Sequence, residues 1–170
     1  FAQKYPKFLE LSKSQSAGSG AGNFAEVHGS TQELFGFEWM NYPGSLPEDK
    51  EIFLYETQIP EPEWKSKKVM DAGCGMGRYA RVAHSLGAEV VAFDLSGALV
   101  RLWDVAKSSE HMHLVQANLM KPPLRENSFD IVYSVGVIHH TPSAKQTFGQ
   151  ISKLVRPGGK LSVWVYGAPG

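Results

Sequence analysis

From Trp64 onward, short apolar runs alternate with apolar residues at helical spacing. The run at Lys68-Val69-Met70-Asp71 predicts strand one over Lys68–Asp71, and it breaks at Gly73, Gly75 and Gly77. Tyr79, Val82, Ala83 and Leu86 follow at i, i+3, i+4 and i+7, which predicts a helix from about Arg78 to Leu86. Glu89–Asp94 reads as strand two. Leu99, Leu102, Trp103 and Ala106 form the apolar face of its helix. Strand three is expected at His113–Gln116, before a polar loop through Pro122 and Pro123, and strand four at Phe129–Ser134. A helix over about Ser143–Val155 should turn Phe148, Ile151 and Val155 inward. Pro157-Gly158-Gly159 should stop it and lead into strand five, Lys160–Tyr166. Strands alternating with helices imply βαβ units, a parallel sheet and right-handed crossovers.

The first part of the chain has another texture. Ser12 to Gly22 is rich in Ser, Gly, Ala and Gln and has too little apolar surface to offset its ordering entropy, so a flexible loop is expected. Ser30 and Glu33 have capping-box spacing for a short helix beside the aromatic cluster Phe35, Phe37, Trp39 and Tyr42. A second helix is expected from Glu48 to Ile59, closed by Pro60 and Pro62. The organisation is therefore an N-terminal helical and loop segment, 1–63, and an α/β domain, 64–170.

Composition narrows the class only a little. The 170 residues suit one good core, and the formal charge of zero gives no basic stripe to suggest a nucleic-acid or membrane surface. The lone Cys74 cannot form an internal disulfide, which suits a reducing compartment, and no apolar run nears the ~20 residues of a membrane span. A cytoplasmic location is the expectation, although the chain begins at Phe1 rather than Met. Strand five is apolar on both faces, with Leu161, Val163 and Val165 on one and Trp164 and Tyr166 on the other. So apolar an edge needs cover. The sheet is thus expected to be truncated after strand five, with a missing C-terminal segment or a homo-oligomeric partner over it.

The candidate chemistry lies where strand one meets its helix. Strand, glycine turn and helix let bare backbone approach a nucleotide-like ligand at the carboxyl end of a parallel strand. Strand two ends on Asp94, where a carboxylate could accept from ribose hydroxyls. A nicotinamide or flavin fingerprint has glycine at its sixth position, where this chain has Arg78, with the third glycine one residue early at Gly77. A glycine-rich turn with no ligand is the remaining alternative.

The spacing Asp71-x-Gly73-x-Gly75-x-Gly77 resembles motif I of class I S-adenosylmethionine-dependent methyltransferases, and the likeness runs from Trp64 to Tyr166. It is nearest the methyltransferase type 11 branch, similar to enzymes of ubiquinone and menaquinone biosynthesis. Val69 to Tyr79 resembles motif I, and Ala92-Phe93-Asp94-Leu95-Ser96 the second motif. Gln116-Ala117-Asn118-Leu119 resembles the adenine segment, Phe129 to His140 the fourth strand and its loop, and Leu154 to Leu161 the approach to strand five. The resemblance implies a doubly wound Rossmann-like sheet that takes S-adenosyl-L-methionine and leaves S-adenosyl-L-homocysteine. It implies a cofactor site of Asp71, Gly73, Cys74, Gly75, Gly77, Asp94, Leu95, Asn118, Leu119, Ser134, Val135 and Gly136. Asp94 would hold the ribose, Leu95 and Leu119 would sandwich the adenine, and the Ser134–Gly136 backbone would run below the methionine part. Asn118 departs from the family's aspartate; its neutral amide can still accept and donate, more weakly. Phe35 to Trp39 resembles the approach helix of some members and could lid the cofactor, or simply pack in the core.

The expected activity is methyl transfer to an unidentified small-molecule acceptor. The alternatives are a non-catalytic cofactor-binding fragment or pseudoenzyme, and a NAD(P)-dependent oxidoreductase. The cofactor carries the activation, so the protein chiefly aligns acceptor and methyl, and a base is needed only if the acceptor must lose a proton. His139 and His140, before Pro142, are candidates for that base or ordinary turn residues, and no catalytic residue is identified. His111 and His113 match no zinc spacing, and no metal is expected. Cys74, between glycines, is read as a small neutral side chain rather than a nucleophile.

Overall fold

In the computed structural model, residues 48–165 are described. The Ser12–Gly22 stretch, the Ser30 and Glu33 capping box, Phe35, Phe37, Trp39 and Tyr42, and Tyr166 lie outside the described residues. Five strands form one sheet: β1 (Lys68–Ala72), β2 (Glu89–Asp94), β3 (Met112–Gln116), β4 (Phe129–Val135) and β5 (Val155–Trp164). Their order is β3-β2-β1-β4-β5, and every pairing is parallel. Helix α2 (Arg78–Ser85) links β1 to β2. A 3-10 turn (Gly97–Leu102) running into α3 (Trp103–Ser108) links β2 to β3, and α4 (Ala144–Ser152) links β4 to β5. Chain order reverses between β1 and β4, so the carboxyl ends of these strands flank the switch point of a doubly wound sheet.

The central strands are buried because both of their faces are covered. One face carries Met70, Ala72, Val91, Phe93 and Val132 into a core shared with Ile151 and Leu154. The other meets helix α1 (Asp49–Thr57), whose Phe53 packs 4.6 Å from Trp64 and 5.1 Å, edge-on, from Tyr133. Tyr79 of α2 completes this aromatic group at 5.4 Å from Phe53. Fully burying such rings contributes about 2–3 kcal/mol each, so α1 is firmly seated on the sheet. Two polar contacts reinforce it. Buried Asp49 accepts from Arg78 Nε at 2.7 Å, and the Tyr79 hydroxyl donates to Glu56.

Three expectations need correction. Helix α1 stops at Thr57 rather than Ile59, because Gln58 takes a left-handed conformation (φ 56°) that ends the ladder. Helix α4 stops at Ser152, so Val155 opens β5, and Phe148 is 46% exposed rather than inward. The inward face carries Ile151 as expected, with Thr147 beside it in place of Phe148. Pro157-Gly158-Gly159 does not precede strand five; it lies within β5 as a bulge. Phe129 pairs with Val155 and Ile131 with Lys160, so several residues of β5 oppose Asp130 alone. Asp130 stitches this end of the sheet, accepting from the Lys68 amide at 2.7 Å and pairing with Arg156. Strand β5 pairs on one side only among the described residues, with Leu161 and Val163 half-buried and Val165 exposed.

Candidate cofactor site

At the carboxyl end of β1 the backbone leaves the sheet through three glycines with positive φ: Gly73 (93°), Gly75 (54°) and Gly77 (84°). The amides of Gly73 and Cys74 both donate to the Phe93 carbonyl, at 2.8 and 3.0 Å, which pins the loop to β2. Gly77 donates to the Cys74 carbonyl at 2.7 Å and stands before the first turn of α2. The three glycines serve different ends. A Cβ on Gly73 would lie 2.3 Å from Val137 Cγ1, and one on Gly77 would lie 2.3 Å from Leu102 Cδ1. A Cβ on Gly75 would meet nothing within 4 Å. Gly73 and Gly77 are therefore glycines for packing, whereas Gly75 faces open space at the mouth of the loop.

Asp94, the last residue of β2, is bound into this loop. Its Oδ2 accepts from the Gly75 amide at 2.8 Å, and its Oδ1 accepts from both the Ser96 amide and the Ser96 hydroxyl at 2.7 Å. A carboxylate has about four acceptor sites, so three protein donors leave capacity for another. Half-buried Asp94 is thus oriented before any ligand arrives.

Asp71 sits beneath the loop in a different state. In register it stands opposite Tyr133 of β4, on the face covered by α1 and α2. Its Oδ2 and the Tyr133 hydroxyl are both buried without a hydrogen bond of good geometry among the described residues. Burial drives the Asp71 pKa from 3.8 up to about 8; the neighbouring Tyr133 hydroxyl pulls it down, Asp94 pushes it up, and the Ala80 amide pulls it down. Burial likewise drives the Tyr133 phenol and the Cys74 thiol upward, with Asp71 adding to both. Cys74 is therefore a neutral thiol, in keeping with its reading as a small loop residue.

The remaining expected residues gather at the same end of the sheet. Leu95 is half-buried, and its carbonyl accepts from Gln116 Nε2 at 3.0 Å. Asn118 is exposed, with Oδ1 accepting from the Met120 amide at 2.8 Å, which fixes which side of its amide faces the chain. Leu119 packs into the core with Phe93 and Ile138 and is only 6% exposed. Ser134 is buried and donates to the Ala72 carbonyl at 2.8 Å, while Gly136 donates to the Trp164 carbonyl at 2.9 Å. Val135 and Gly136 are half-buried.

The chain is similar to known proteins over much of this sheet. The family described as "Methyltransferase domain" matches residues 70–163. The chain belongs to the S-adenosylmethionine-dependent methyltransferases. It is 34% identical to the sterol 24-C-methyltransferase of Gibberella zeae over 102 residues, which is 57% of this chain and 27% of that protein. It is 33% identical to the malonyl-[acyl-carrier protein] O-methyltransferase of Enterobacter lignolyticus over 101 residues, 59% of this chain and 39% of that one. An S-adenosylmethionine-dependent methyltransferase from Mesorhizobium loti superposes with a TM-score of 0.55 at 27% identity, covering 67% of this chain and 50% of its own. The chain thus spans roughly a third of the length of these curated relatives.

Within this methyltransferase domain the histidines and several unexpected residues find definite places. His139 and His140 form a 3-10 turn after β4, their ring centroids 4.0 Å apart. Burial, then the charge of His140, pulls the His139 pKa down, so its ring is neutral at physiological pH. His113 lies 3.2 Å from Glu89, and among the described residues no three His, Cys, Asp or Glu are grouped to hold a metal. No helix among the described residues is long and apolar enough to cross a membrane. Ser96, Tyr133, Val137 and Leu102 are the residues to which motif spacing gave no role in the site. Ser96, two positions after Asp94, carried a detectable signal, since a hydroxyl there can reach back to the acid. Tyr133 meets Asp71 only through strand register, which no local spacing reveals.

Proposed function

We propose that this domain transfers a methyl group from S-adenosylmethionine to a small-molecule acceptor, with the cofactor lying over the glycine loop. The Gly75–Asp94 hydrogen bond carries the reading, because it joins a bare backbone facing open space to a carboxylate with acceptor capacity left. Asp94 would accept from a ribose hydroxyl with the acceptor capacity its three protein donors leave. Leu95 would offer an apolar face to the adenine, with Leu119 as its base and the Asn118 amide at its edge. The backbone of Ser134, Val135 and Gly136 would border the methionine portion, with Asp71 and Cys74 below. When bound, the cofactor supplies a methyl group already activated on a positive sulfur. The chain's own work is then to align the acceptor with it and exclude water. His139 and His140 stand where a base could take an acceptor's proton. The α/β portion, 64–170, would carry this site, braced by α1 through Phe53 and the Asp49–Arg78 pair.

One rival reading is a domain that binds the cofactor without transferring its methyl group. Calorimetry with S-adenosylhomocysteine and NAD(P) tests the site: binding of the first and not the second is expected, and the reverse sinks the proposal. Radiolabelled methyl transfer by residues 1–170 separates an enzyme from a domain that only binds the cofactor.

A further inference from the structure

The Asp71–Tyr133 contact is the least expected feature of the sheet, and the Gly75–Asp94 reading of the cofactor site leaves it unexplained. An acid in the middle of a parallel sheet is costly unless a cation or several donors face it. The groups facing Asp71 can be named element by element. Across β4 stands the Tyr133 phenol, from β2 comes Asp94, and from the loop Cys74. From α2 comes the Ala80 amide, and Tyr79 also acts on Tyr133. Arg78, at the start of α2, pairs with Asp49 of α1. The neighbours of Asp71 are therefore neutral or negative, and its Oδ2 and the Tyr133 hydroxyl are buried without a well-formed bond among the described residues.

We propose that Asp71 and Tyr133 form a buried proton-holding pair that couples S-adenosylmethionine binding to release of a proton, with Tyr133 the positioning residue. The inference rests on the cofactor lying over the glycine loop. S-adenosylmethionine carries a sulfonium, an ammonium and a carboxylate, a net charge of one positive unit. Its arrival supplies the counter-charge that the buried acid lacks. The Asp71 O–H bond then breaks, the proton passes to solvent, and the carboxylate formed takes the hydrogen bond of the Tyr133 hydroxyl. S-adenosylhomocysteine has lost the sulfonium and is neutral overall, so after transfer Asp71 regains a proton from solvent. The charge of the site follows the charge of its ligand, which keeps the product from being held as tightly as the donor.

The test is calorimetry of S-adenosylmethionine binding to the whole chain in phosphate and in Tris at matched pH. The buffer-dependent heat counts protons released. The expected result is release approaching one proton near pH 7, less with S-adenosylhomocysteine, and affinity tightening by up to about tenfold per pH unit before levelling off near pH 8. Asp71→Asn should abolish the part of the proton count due to the protein, while the ligand's own amino group still titrates. Tyr133→Phe should move the profile to higher pH and weaken binding several-fold at pH 7, with recovery at pH 9. Binding with the same proton count in wild type and Asp71→Asn overturns the proposal, as does a Tyr133→Phe profile that does not move. Failure of both ligands to bind overturns the cofactor site itself, a distinct result.

Discussion

The Gly75 amide and the Asp94 carboxylate are bound directly, N to Oδ2 at 2.8 Å, so the loop after β1 and the end of β2 form one unit. Removing the carboxylate would strand three donors, the Gly75 amide and the amide and hydroxyl of Ser96. It would also remove the proposed ribose acceptor. Asp94→Ala should cost about ten- to a hundredfold in S-adenosylhomocysteine affinity, on the basis of one lost charge-assisted hydrogen bond of roughly 1.5–3 kcal/mol. Stability should fall by roughly 1–3 kcal/mol. Asp94→Asn, which keeps the shape, should lose about tenfold. Calorimetry and denaturant melts on the same preparations check both numbers, and an unchanged affinity in Asp94→Ala refutes the site.

Gly75 and Gly77 should respond oppositely to alanine. At Gly77 a Cβ would fall 2.3 Å from Leu102, on backbone with a φ of 84°. Gly77→Ala should therefore lose about 3 kcal/mol or more of stability. Trimming Leu102 to Ala in the same chain should restore only part, since the backbone strain stays. At Gly75 the space is open, and only the left-handed φ of 54° opposes a side chain, at about 1 kcal/mol. Its methyl would project toward the proposed ligand, so Gly75→Ala should harm cofactor affinity more than stability. Chemical denaturation beside ligand titration separates the two, and a Gly75→Ala variant that binds as wild type argues against ligand contact there.

The sheet was legible because parallel strands buried on both faces read as apolar runs, and the runs ending at Asp71 and Asp94 marked the strand ends well. Helix α4 was not read correctly, because hydrophobicity there misleads. Phe148 looks like core, yet the buried position beside Ile151 is Thr147, whose hydroxyl is satisfied by Thr141 Oγ1 at 2.9 Å. A hydrogen bond made a polar side chain inexpensive inside, and the early stop at Ser152 gave Val155 to the sheet. The candidate positions can be named from the sequence, but not what each does in the fold. Which glycine packs and which opens depends on Val137 and Leu102, and the state of Asp71 depends on Tyr133, all distant in sequence.

The corrected phase of α4 is itself testable. Phe148→Ser should change stability by no more than about 0.5 kcal/mol, because the ring already meets solvent. Ile151→Ala should cost about 2–4 kcal/mol by emptying space among Met70, Val132 and Leu154. Urea denaturation of the two variants decides the matter. A larger loss from Phe148 would mean that something covers that face in solution.

The last prediction follows from Asp71, whose pKa stands at about 8 in the fold against an ordinary 3.8. Between these values the folded chain holds a proton that the unfolded chain has lost. The pH derivative of unfolding free energy is therefore negative over that window, and this group's contribution to stability falls as pH rises from about 4 to about 8. Above 8 the cost is complete and level; below 4 it vanishes, since both states are protonated. Asn has the shape of the protonated acid and no charge to bury. Asp71→Asn should thus stabilise the ligand-free chain, by little at pH 4.5 and by roughly a few kcal/mol at pH 8. Denaturant melts of wild type and variant at four or five pH values give the difference directly. A gap that stays constant with pH would mean that Asp71 is ionised in the fold, its charge met by donors other than Tyr133 and Ala80.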